Sequence, residues 1–150
     1  MKTFIILWLS CASLFAGETF ISLKSGETNH VSYGLSYIIS ATPMSPSDDF
    51  TDLFLTLRND GAKSMSFGDI TVEDFSLRDA DRHEMRIYLR TSPQDVQDIA
   101  YGEATVIHLM VALPHALTAP QPWTLRFKTK PGEHTYPLDL MISGIKLRKH

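Results

Sequence analysis

The feature that most constrains this chain is an apolar alternation of period two that recurs from residue 31 almost to its end. Successive side chains of a β-strand point to opposite faces, so such alternation marks strands with one face against a core. In "VSYGLSYIIS" the residues Val31, Tyr33, Leu35, Tyr37 and Ile39 share one face, and "DLFLTLR" repeats the pattern with Leu53, Leu55 and Leu57. "NDG" at Asn59 to Gly61 then supplies residues suited to a tight turn. Further strands are expected in "DITVEDFSL" (Ile70, Val72, Phe75, Leu77, with a break near Asp74), in "EMRIYLR" (Met85, Ile87, Leu89) and in "ATVIHLMVAL". "WTLRFKT" alternates Trp123, Leu125 and Phe127 with polar residues, and "KPGEH" turns it into "TYPLDLMISGI". No segment sustains a helical stripe, and short helical turns are expected only in "SPQDVQDIAYG" and "LPHALTAPQP". Seven to nine strands joined by turns predict an all-β fold, an antiparallel β-sandwich.

The first sixteen residues do not belong to that pattern. Lys2, an apolar run from Phe4 to Leu9, and small residues at Ala12, Ser13 and Ala16 have the layout of a secretory signal cleaved after Ala16. Ser10 and Ser13 interrupt a run already short of the roughly twenty apolar residues a spanning helix needs. The expected organisation is therefore a signal peptide, 1–16, a single β-sandwich domain, 17–150, and no transmembrane segment in the mature chain. Cys11 after "LWLS" also allows the modified cysteine of a bacterial lipoprotein, although Trp8 fits that motif poorly. The destination is periplasmic or secreted.

Cys11 is the single cysteine, so cleavage after Ala16 leaves a chain without disulfides, thiolate metal sites or a cysteine nucleophile. The remaining 134 residues (150 less 16) are enough for one core without covalent staples. With 14 basic and 17 acidic side chains the charge is mildly negative, and no basic stripe suggests a nucleic-acid partner. The terminal "KLRKH" reads as a solvated basic end, and "ATPMSPSDD" as a loop between strands.

Hydrolytic chemistry has no positive sign: there is no G-x-S-x-G elbow, and the serines near glycine stand in strand or turn patterns. The protein is expected not to be an enzyme. "RDADRHE" carries Asp79, Asp81 and Glu84 but lacks the glycine and third acidic ligand of a calcium loop. It reads as a hairpin tip whose aspartates cap backbone groups and stay solvated.

Two histidine–methionine pairs at i, i+2 remain: His83 with Met85, and His108 with Met110. Imidazole and thioether together suit soft Cu(I), and this spacing on a strand points both side chains to one face. In "VIHLMVAL" the more apolar set is Ile107, Leu109, Val111 and Leu113, which leaves His108 and Met110 facing outward. Upstream the parity reverses, so Met85 reads as core packing.

The "ATP" at 41–43, the strand and turn "LFLTLRNDG", "VED" at 72–74, Met85, His108-Leu109-Met110 and the closing "WTLRFKTKPGEHTYPLDL" are together similar to the periplasmic copper chaperone family of cupredoxin-like sandwiches. The resemblance implies Cu(I) ligation by Met85, His108 and Met110, with His83 in place of a fourth ligand. The chain departs from the family pattern at Asp74 or Phe75, where the first ligand would stand, and in "EATVI", where a glycine pair would precede the H-x-M. General bacterial Ig-like domains fit the same strand pattern. The expected function is an exported, non-catalytic Ig-like β-sandwich that binds a protein partner and holds no cofactor; the alternative is a Cu(I)-binding chaperone-like protein.

Overall fold

The computed structural model describes residues 19–22, 29–31, 34–43, 49–92, 97–112, 118–132 and 135–147. The expected signal peptide lies outside the described residues, as do positions 44–48 of the proline-containing loop and 93–96 and 113–117 of the expected helical turns.

The alternating segments form strands because each buries one row of side chains on a common core. Among the described residues these are β1 (Thr19–Ser22), β2 (Asn29–Val31), β3 (Leu35–Ala41), β4 (Phe50–Asn59), β5 (Met65–Ser66), β6 (Phe75–Arg78), β7 (Glu84–Met85), β8 (Ile87–Leu89), β9 (Asp98–Ile99), β10 (Ala104–Ala112), β11 (Trp123–Lys128) and β12 (Asp139–Ile145). One sheet has the order β1-β12-β11-β6-β7, a second β2-β3-β4-β10-β8, and β5 pairs with β9 alone. The chain is a β-sandwich of mostly antiparallel strands. Twelve strands exceed the seven to nine expected because β5, β7 and β9 are two-residue pairings without an alternation of their own.

The rows facing between the sheets are the expected ones: Leu53, Leu55 and Leu57 from β4, Ile107, Leu109 and Val111 from β10, and Trp123, Leu125 and Phe127 from β11 are all fully buried. Phe75 stacks on Phe127, its directly paired neighbour in the same sheet, at 4.5 Å, tying β6 to β11 on the core side. Burying each such side chain stabilises the fold by about 1.5–3 kcal/mol. Two buried polar groups, the Tyr37 hydroxyl and Trp123 Nε1, have no hydrogen-bond partner among the described residues.

The structure corrects several expectations. "VSYGLSYIIS" is not one strand: Val31 of β2 lies opposite Leu35 of β3, and the chain reverses around Gly34. Gly34 has φ +85°, and a Cβ there would stand 2.5 Å from Gly61 Cα, so the backbones meet where only glycine fits. "EMRIYLR" divides at Arg86, with Met85 pairing in the first sheet and Ile87 to Leu89 in the second. The break near Asp74 is a 3-10 turn, Val72–Asp74, closed by a capping box between Thr71 and Asp74. It leaves Val72 exposed instead of in the core. Asp79 caps the backbone N–H of His83 at 2.9 Å, but it is buried where a solvated tip residue was expected. Finally, β1 pairs with β12 in parallel, Thr19 opposite Leu140.

Asn59 ends β4 in place of a simple turn. Its Nδ2 donates to the carbonyls of Lys63 (2.7 Å) and Ile99 (2.9 Å), and its Oδ1 accepts from Gly61 N–H (3.0 Å). It is completely buried.

Candidate functional site: the outer face of β4, β10 and β8

The outward row of β10 is Ala104, Val106, His108, Met110 and Ala112, and antiparallel register sets it against Arg58, Thr56, Phe54, Asp52 and Phe50 of β4. Tyr88 of β8 lies opposite Met110 on the far side, and Ile38 of β3 lies opposite Thr56. Directly opposed residues in a sheet are side-chain neighbours, which explains the contacts observed. The Phe54 ring stacks on the His108 imidazole at 4.6 Å and 25°. Phe50 meets Tyr88 edge-on at 5.8 Å, and the Arg86 guanidinium lies 5.2 Å from the Tyr88 centroid.

His108 is held through both its ring and its backbone. Its Nε2 lies 2.6 Å from Asp52 Oδ1, diagonally across the strand pair. Its backbone N–H donates to Thr91 Oγ1 at 2.6 Å, so a threonine side chain extends the sheet hydrogen bonding past the end of β8. Both His108 and Asp52 keep about a third of their side chains accessible (32% and 31%). The face therefore carries an aromatic and aliphatic surface with one imidazole–carboxylate pair at its middle. Val106 and Phe50 are 48% and 41% exposed.

The outer face of the other sheet differs in kind. Arg126 forks onto Asp139 through Nε (2.8 Å) and Nη2 (2.6 Å), and Lys128 approaches the same carboxylate at 3.7 Å. Hydrogen bonding from Arg126 is the main cause that holds the Asp139 carboxyl below its ordinary value. Thr124, Ser76, Met141 and Ser143 stand on the same face, and among the described side chains there it carries no aromatic ring.

The four expected metal ligands separate into two places. His108 and Met110 do face outward from one sheet. Met85 is buried in the core on β7 of the other sheet. His83 is largely exposed, with its Nδ1 3.3 Å from Asp79 Oδ2. Met85 and His83 instead line an open cleft of about 480 Å³ with Asp79, Glu84, Arg86 and Pro120. The second five-stranded sheet stands between the core and the face carrying His108 and Met110, so the four residues do not meet. Among the described residues no three His, Cys, Asp or Glu side chains are grouped to hold a metal ion.

Sequence reasoning missed Phe50, Phe54, Asp52 and Tyr88 as neighbours of His108. A signal for the face was present: in "FTDLFLTLRN" both phenylalanines fall on the parity opposite Leu53, Leu55 and Leu57, where a solvent face carries polar residues. Asp52 could be placed beside His108 only through the register of strands 56 residues apart.

Among the described residues no helix is long and apolar enough to cross a membrane. No protein-family model matches the chain, and no curated protein matches it. Among solved structures, the chain is similar to the yjhA protein from Bacillus subtilis at 16% identity and TM-score 0.53, over 81% of this chain and 98% of that one. It also aligns with an uncharacterized β-sandwich protein from Clostridium difficile 630 at 10% identity and TM-score 0.46, over 85% of this chain and 95% of that one. At such identities the likeness concerns the fold alone.

Proposed function

We propose that this chain is an exported, non-catalytic β-sandwich that works by binding, through the outer face of β4, β10 and β8. The observation that supports this is the contrast between the two outer faces. Among its described side chains, one is mostly polar and carries the Arg126–Asp139 ion pair. The other presents Phe50, Phe54, Tyr88, Val106 and Met110, with Val106 and Phe50 substantially exposed. Monomeric proteins seldom leave large contiguous apolar patches open, and aromatic residues with Arg and Met are enriched where proteins bind. The export half of the reading rests on the leader-like residues 1–16.

Methionine oxidation tests the face with an internal control. Met110 and Met141 are both half-buried and stand on opposite outer faces, whereas Met65 and Met85 are in the core. Peroxide converts accessible methionine to the sulfoxide. Met110 should oxidise several-fold more slowly in producing cells than in dilute purified protein, with Met141 unchanged; equal slowing at both positions counts against the reading. Fractionation with mass measurement tests export: the expected product begins at Gly17 outside the cytoplasm, and an uncleaved cytoplasmic chain refutes it.

A further inference from the structure

We infer that the partner of this face is an extended acidic polypeptide segment that pairs antiparallel with the open edge of β8, presenting an acid, an apolar residue and an acid at alternate positions. The inference rests on the reading of the face as a binding surface and supplies the chemistry of its partner. β8 ends its sheet, with β10 on one side and, among the described residues, no strand on the other. Arg90 N–H donates to the His108 carbonyl at 2.9 Å, and the Arg86 carbonyl accepts from Ala112 N–H at 3.2 Å. Backbone direction alternates along a strand, so Arg86, Tyr88 and Arg90 turn their peptide groups to β10, while Ile87 and Leu89 turn theirs to the open side. Among the described residues the N–H and C=O groups of Ile87 and Leu89 have no hydrogen-bond partner. The 3-10 turn Val72–Asp74 passes near β8 and supplies none of these bonds. Both side chains pack against the core yet stay only half-buried. An edge of this kind is a template for an added strand.

The side chains along the edge select the partner. Tyr88 faces outward opposite Met110, so Arg86 and Arg90, two residues to either side, share its face. The Arg86 guanidinium leans over the Tyr88 ring. Among the described residues neither Arg86 nor Arg90 has a carboxylate partner, whereas Arg58 of the same face is paired with Asp60 and Asp52 with His108. In a chain with 17 acidic and 14 basic residues, two neighbouring arginines without a counter-charge complement an external anion. Directly opposed residues of paired strands are side-chain neighbours. A strand laid on the open side therefore sets alternate residues against Arg86, Tyr88 and Arg90, about 13 Å from first to last. Carboxylates suit the two ends, where each guanidinium can donate to both oxygens, and an apolar side chain suits the ring between them. The intervening residues fall beside Ile87 and Leu89 on the core side, where β-branched residues pack well. Every described pairing of this sheet is antiparallel, which gives the added strand its direction.

Fluorescence anisotropy of a labelled peptide provides the test. The peptide has the core glutamate-valine-tyrosine-valine-glutamate, flanked by glycine and serine. It should bind the purified chain with a Kd below about 100 µM at low salt, and more weakly as salt rises. Arg86→Glu combined with Arg90→Glu should lower its affinity at least about tenfold, and the same variant should instead bind a peptide with lysine in place of both glutamates. That exchange of preference shows the variant to be folded, as does an unchanged near-ultraviolet signal from buried Trp123. Methylating the two valine amide nitrogens leaves the charges in place and removes the donors to the Ile87 and Leu89 carbonyls. The methylated peptide should not bind.

No binding at about 1 mM overturns the inference. Affinity that ignores the charge exchange overturns it, because the arginines then select nothing. A methylated peptide that binds like its parent also overturns it, since the contact is then not a strand pairing. A peptide that fails while the chain associates with itself through Arg86 and Arg90 overturns it in favour of a second copy. If the peptide fails and Met110 is nevertheless protected in cells, the binding-face reading survives with a partner of another kind; if Met110 is unprotected as well, both fall.

Discussion

Replacing Asn59 by alanine removes one side chain that holds three backbone segments together, and its cost can be worked from the contacts. Three hydrogen bonds disappear: two from Nδ2 to the carbonyls of Lys63 and Ile99, and one from Gly61 N–H to Oδ1. A net hydrogen bond contributes about 0.5–1.5 kcal/mol, and a buried group left unpaired costs toward the upper end. Ser64 Oγ lies 3.4 Å from the Ile99 carbonyl and compensates little. The expected loss is about 3 kcal/mol. With a urea slope near 2 kcal/mol/M the midpoint should fall by about 1.5 M, with the slope unchanged. Asn59→Asp sharpens the test. A carboxylate would face two carbonyl oxygens in a completely buried site, so burial would raise its pKa in the folded state. A group whose folded pKa is raised loses its contribution as pH climbs, so this variant should be closest to the unmodified protein in mild acid and fall behind it toward neutrality. An Asn59→Ala loss below about 0.5 kcal/mol would refute the idea that these bonds hold the end of β4.

Further outcomes are expected. Gly34→Ala should destabilise by at least about 2 kcal/mol in the same assay, because the residue is left-handed and its Cβ would meet the Gly61 backbone; a neutral result would refute the close approach. Tyr37→Phe should be neutral or slightly stabilising at pH 7, since its hydroxyl has no partner among the described residues. Burial pushes the Tyr37 phenol up to about 12, so the unmodified chain should lose about 1.4 kcal/mol per pH unit between pH 10 and 12 from this group, and Tyr37→Phe should remove that slope. Asp139 is held below its ordinary value, so the Arg126 pair stabilises above about pH 4 and fades as pH falls; Asp139→Asn should flatten the acid limb of the stability curve. Met85→Leu should leave any Cu(I) uptake unchanged in a competition titration, because the thioether is buried in the core; reduced uptake would refute that placement at a binding site.

The core was legible because burial dominates the choice of face. Leu53, Leu55 and Leu57, or Trp123, Leu125 and Phe127, announce their inward row by composition alone. The same rule hid the changes of partner. Val31 and Leu35 lie opposite each other in a hairpin, yet they are an even number of residues apart, so the alternation runs through the reversal unbroken. Met85 and Ile87 belong to different sheets that share one interior, and parity again conceals the crossing. Of the site, the outward direction of His108 and Met110 could be read from β10, whereas the Asp52 contact depends on pairing with a strand far back in the sequence. The cleft holding His83 and Met85 is likewise made by the β6–β7 hairpin meeting residues 118–120, which no local spacing records.

The parallel pairing of β1 with β12 has a consequence for the life of the chain before it folds. Thr19 lies opposite Leu140, 121 positions later, so the strand that receives β1 is synthesised long after it. Contacts this distant carry a large loop-closure entropy and slow folding. As the chain emerges, residues 19–22 must wait without a neighbour until β12 follows. If the chain is exported as proposed, and crosses a pore in the extended state, that delay would keep the leading segment threadable until β12 arrives.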